Sequence, residues 1–161
     1  MRRATEPGAR PVERLARWSA ALACVALAAM MLVTVADVAL RSLAGRPIPG
    51  TFELVELALA AAFFLALPLV FLRDANIVVD AVDHRAPRFV PALRRLGGIA
   101  SAVVLALLAW QAALGARDAL SFGDVSAALG LPQGLYWAPV VAGLAGALLA
   151  ALVRLRAGGD A

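Results

Sequence analysis

Three carboxylates, Asp37, Glu53 and Glu56, stand where hydrocarbon would be expected, with the guanidinium of Arg41 close by, within the stretch DVALRSLAGRPIPGTFELVE. Four residues separate Asp37 from Arg41, so on a helix they share a face and can pair along it. Glu53 and Glu56, three apart, share a face of the following helix, and AGRPIPG between the two helices holds the glycines and prolines that turn one into the next. Such a set could carry ions or protons across a bilayer, or it could be matched by neighbours and hold a structure together. Translocation by Asp37 and Glu56 needs polar groups continuing across the membrane, and the later apolar segments supply almost none. For Glu53, a place at the interface facing water and a matched place are both open. Glu56 lies a turn deeper, which favours a partner such as Arg41 or a basic group on another subunit.

Other chemistries fail on inventory. The chain has one cysteine, Cys24, and one histidine, His84, so no zinc set, Cys-His nucleophile pair or intrachain disulfide can be assembled. Two histidine ligands for haem are likewise missing. No enzymatic activity and no cofactor are expected.

The elements that must position these residues are long and apolar. Of 161 residues, 63% are hydrophobic and 16% charged, against about 45–50% and about 25% in ordinary soluble domains. The apolar residues fall into four blocks, 18–40, 51–72, 96–116 and 133–153, each near the ~20 residues that cross a bilayer core. Their continuous character lacks the alternation of barrel strands, which leaves helices. The fold class is therefore all-α, an integral membrane protein with four transmembrane helices. Residues 1–17 and 154–161 lie outside the 18–153 membrane domain.

The arginine-rich start followed by an apolar run resembles a secretory signal, but the run exceeds a signal's h-region and three more spans follow, so the first helix is expected to be retained. Arginine supplies all 15 basic side chains. Twelve lie before the first span, between the second and third, or after the fourth; only Arg41, Arg46 and Arg117 lie in the other two connections. The positive-inside rule puts both termini in the cytoplasm. It also explains a pI near 10.9 without nucleic acid, as topology and contact with anionic membrane lipid. The connection Arg73–Arg95, broken by Pro87 and Pro91, is expected to lie along the interface. In the fourth block, the pairs Ala142/Gly146, Gly143/Ala147 and Gly146/Ala150 are small-xxx-small spacings that permit close helix contact.

The run DVALRSLAGRPIPGTFELVELALAAAFFLALPLVFLRDANIVVD, Asp37 to Asp80, resembles the small permease subunit of tripartite ATP-independent periplasmic (TRAP) transporters, the DctQ-like family. LGLPQGLYWAPVVAG, Leu129 to Gly143, is more loosely similar to the start of that family's last span. The resemblance implies a bacterial inner-membrane subunit without a transport site. Its implied partners are a large permease subunit, which would carry out ion-coupled symport, and a periplasmic solute-binding protein, which would deliver an organic acid such as a dicarboxylate. It also implies that Arg41, Glu53 and Glu56 organise the periplasmic end of the first hairpin, and that Asn76 and Asp80 fix the cytoplasmic turn. Asn76 departs from the family's usual histidine. A stand-alone four-helix carrier or channel, the membrane-anchor subunit of another complex, and the small subunit of a different tripartite uptake system are the alternatives.

Overall fold

The computed structural model describes residues 9–73 and 90–157. They form four helices: α1 (Ala9–Ala44), α2 (Thr51–Arg73), α3 (Val90–Phe122) and α4 (Gly134–Ala157). All four are long and apolar enough to cross a membrane, and the described residues include no strand beyond one isolated bridge between Val125 and Pro132. The expected interfacial course of the 73–95 connection falls largely outside the described residues.

Two helices outrun their expected spans. α1, with 36 residues, is ~54 Å long at 1.5 Å per residue, against a hydrocarbon core of ~30 Å. Its extra turns at the start carry the exposed i,i+4 pair Glu13–Arg17 at 3.0 Å, which keeps the helical pattern going past the apolar block. α3 begins at Val90 rather than near Leu96 and continues through Arg117 and Asp118 to Phe122. Pro91, read from sequence as a breaker, occupies the first turn of α3. There its missing N–H would have had no helical partner in any case.

The helices do not close into a bundle. α1 packs on α2, α2 on α4 and α4 on α3, α1 touches α4 only lightly, and α3 packs on neither α1 nor α2. α1 offers α2 a narrow seam at alternating three- and four-residue spacing: Ala16, Ser19, Ala23, Ala26, Met30, Val33 and Asp37 are buried or half-buried. The rest of its surface is open, with Leu32 70% exposed. α3 repeats the pattern with Ala102, Leu105, Ala109, Ala112, Ala116 and Ala119. The densest packing lies around α4, where Ala147 and Ala150 are 0% exposed, and Leu105, Ala112, Leu144, Ala147 and Ala151 form one cluster with Phe64, Leu67, Phe71 and Trp137 against it.

The small residues of α4 are what let α2 come close. Pro68, inside α2, has no N–H to give the carbonyl of Phe64 one turn earlier. Gly143 of α4 sits against that carbonyl, and a Cβ there would collide with Phe64 O and C; one at Gly146 would lie 2.8 Å from the Pro68 ring. Glycine at 143 thus seats α4 on the place where the ladder of α2 is interrupted.

Candidate functional site

Asp37, Arg41, Glu53 and Glu56 all lie toward the end of the molecule that carries the 45–50 turn and the 123–133 loop, here the turn end. α1 stops there because Gly45 takes a positive φ of 66°, and Gly50, at 73°, turns the chain into α2. Between them Pro47 and Pro49 have no backbone donor, which leaves Ile48 to supply one. Ile48 N donates to Asp37 Oδ1 at 2.8 Å, and Thr51 Oγ1 lies 3.0 Å from the same oxygen and 2.9 Å from Ile48 O. Arg41 Nη2 donates to Asp37 Oδ2 at 2.8 Å. Asp37 is 5% exposed, so a buried charge is met on both oxygens and the turn is fastened to the helix it leaves.

Glu53, two residues after Thr51, does the same for the other hairpin. Its carboxylate accepts from Ser126 Oγ at 2.7 Å, Ala128 N at 2.7 Å and Leu129 N at 2.9 Å. The successive N–H groups of a tight loop tip make a natural carboxylate seat. That tip is held by Gly130 N to Ser126 O at 3.1 Å and Ser126 N to Leu131 O at 2.8 Å, while Leu131 N donates to Ser126 Oγ at 3.0 Å. Ser126 thus accepts from its own loop and donates to Glu53. Leu129 lies against Gly50, where a Cβ would collide with it.

Glu56 is placed differently. It is exposed, one turn further along α2, on an open stripe with Phe52, Leu59 and Phe63. The structure does not bring it to Arg41, whose guanidinium is on Asp37, and Glu56 has no ion pair among the described residues. At the opposite end, Arg154 of α4 donates to Leu72 O at 3.1 Å, meeting one of the carbonyls left over at the end of α2. Asn76, Asp80 and His84 lie outside the described residues.

Sequence reasoning grouped Asp37 with Arg41 but missed the backbone that Asp37 holds; the two prolines flanking Ile48 were the available signal. It left a matched place for Glu53 open but did not name the partners, which lie 73 to 76 residues away. No group of three metal-ligating side chains occurs among the described residues. The arrangement ties two loops, the 45–50 turn through Asp37 and the 126–129 tip through Glu53.

A family model described as tripartite ATP-independent periplasmic transporters, DctQ component, matches residues 30–158. No curated protein and no solved structure matches the chain.

Proposed function

This chain belongs to the DctQ component family of tripartite ATP-independent periplasmic transporters, and from that premise we propose that it braces a large permease subunit in the bacterial inner membrane and takes no part in substrate chemistry. In this reading both termini are cytoplasmic and the turn end faces the periplasm, where a solute-binding protein delivers an organic acid for ion-coupled uptake. The observation that carries it is Glu56. A carboxylate on an otherwise apolar stripe of a spanning helix is costly in lipid and calls for a basic partner. With Arg41 engaged by Asp37, the partner is a cation on another subunit.

Asp37, Arg41 and Glu53 serve the same end indirectly by holding the turn end in shape. The test is co-purification with the large permease. Glu56→Ala is expected to lower recovery of the complex several-fold while the isolated subunit melts as wild type does, because Glu56 makes no ion pair within the described chain. Unchanged assembly and uptake in Glu56→Ala would remove the reading of that residue.

A further inference from the structure

Between α1 and α2, toward the end that carries the chain termini, runs an apolar furrow of about 340 Å³ lined by Ala20, Ala23, Cys24 and Leu27 on one side and Ala62, Ala66, Leu69, Val70 and Arg73 on the other. Its floor is made of alanines, which is why it is deep enough to be a furrow at all. Arg73 closes α2 and stands at the mouth. With 23 residues, α2 is ~35 Å long, so its last residue reaches headgroup depth when the helix crosses a core of ~30 Å.

We infer that this furrow binds an anionic phospholipid, with one acyl chain along the alanine floor and the phosphate on the Arg73 guanidinium. The width argues for a chain over a helix. α1 and α2 are packed along their length, and packed helices lie about 8–10 Å apart. A third helix, about 10–12 Å across, would ride over the seam without filling it. The charge argues for the headgroup. Two other arginines of that end are engaged, Arg17 by Glu13 at 3.0 Å and Arg154 by Leu72 O at 3.1 Å, and the exposed Arg14, Arg95 and Arg156 do not line the furrow. Arg73 is exposed, lines the furrow and makes no ion pair among the described residues. A guanidinium matches phosphate oxygens with paired donors. A zwitterionic headgroup brings its own cation to compete for the same phosphate, so net negative charge is preferred.

The test is native mass spectrometry of the full chain in detergent, titrated with phosphatidylglycerol and phosphatidylcholine of identical acyl chains. Wild type is expected to retain phosphatidylglycerol about fivefold more tightly, the effect of one arginine near an anionic surface. Arg73→Gln brings the ratio close to one, and Arg46→Gln, at the turn end, leaves it unchanged. Ala66→Leu fills the floor and lowers retention of both lipids; should that variant not fold, Cys24→Leu fills the same furrow from α1. Equal retention of the two lipids by wild type overturns the inference. So does a preference that survives Arg73→Gln, or retention indifferent to the filled floor. Loss of the bound lipid when the large permease is added would assign the furrow to protein and overturn it as well. None of these outcomes bears on Glu56, which lies near the other end of α2.

Discussion

Asp37 and Glu53 are both carboxylates near a membrane boundary, and each is used as a backbone acceptor for a loop that cannot satisfy itself. For Asp37 the demand comes from RPIPG, where prolines remove the donors on either side of Ile48 and the Ile48 N–H is placed on the carboxylate at 2.8 Å. Asp37→Asn keeps one carbonyl oxygen for Ile48 but gives up the charge that holds Arg41. It is expected to lower the thermal midpoint in detergent by a few degrees, and Asp37→Ala to lower it further, since both Ile48 N and Arg41 then lose their acceptor. Fluorescence-detected size exclusion after heating measures both. If Asp37→Ala melts with wild type, the turn is held by its glycines and prolines alone. For Glu53, Gln turns an amide NH₂ toward a site built of donors, so Glu53→Gln is expected to open the 126–129 loop nearly as far as Glu53→Ala does. Faster amide hydrogen exchange at Ala128 and Leu129 would report it; unaltered exchange would show that the loop closes on itself without the carboxylate.

Among the elements, α2 and α4 decide how much of the architecture exists. Their contact depends on a glycine facing the carbonyl that Pro68 leaves without an N–H, so Gly143→Ala forces a Cβ into backbone that cannot yield. The expected cost is about 1–3 kcal/mol from overpacking. Gly97→Ala is the control: a Cβ there meets nothing within 4 Å, and the substitution gains about 0.5–1 kcal/mol because alanine is the better helix former. Chemical denaturation in mixed micelles should therefore separate two substitutions that a composition-based reading treats alike, and equal midpoints would refute the account of the α2–α4 contact. Much at this scale is legible in the chain. The four spans follow from apolar block length, and of the small-residue pairs 143/147 and 146/150 lie on the face of α4 that the structure buries or half-buries, whereas Ala142 of the pair 142/146 is exposed. Two things are not legible. The helix ends extend beyond the apolar blocks because i,i+4 pairs and a first-turn proline sustain helix where hydropathy has already dropped. The neighbour order α1, α2, α4, α3 is also hidden, because apolar helices carry no directional code and the Glu53 tie that fixes the two hairpins joins residues more than seventy positions apart.

Taken whole, the molecule is a row of helices with its apolar side chains turned outward, and that shape bears on what it can do alone. A carrier needs an enclosed polar route, whereas α3 packs on neither α1 nor α2, so the described helices surround no central path. The buried or half-buried carboxylates are already occupied, Asp37 by Ile48, Thr51 and Arg41, and Glu53 by the 126–129 loop. Glu56 is left as a single acid on an outward stripe, and one acid makes no relay across ~30 Å. Reconstituted by itself into liposomes, this chain is expected to move neither sodium nor organic acid above the leak of empty vesicles, under an imposed sodium gradient or a membrane potential. Co-reconstituted with the large permease and a loaded binding protein, the same preparation should support uptake, and Glu56→Ala should reduce it in proportion to the complex lost. Flux by the isolated chain that saturates with substrate would mean that copies of the row close around a path of their own, and the open edges of α1 and α3 would then be surfaces for self-assembly.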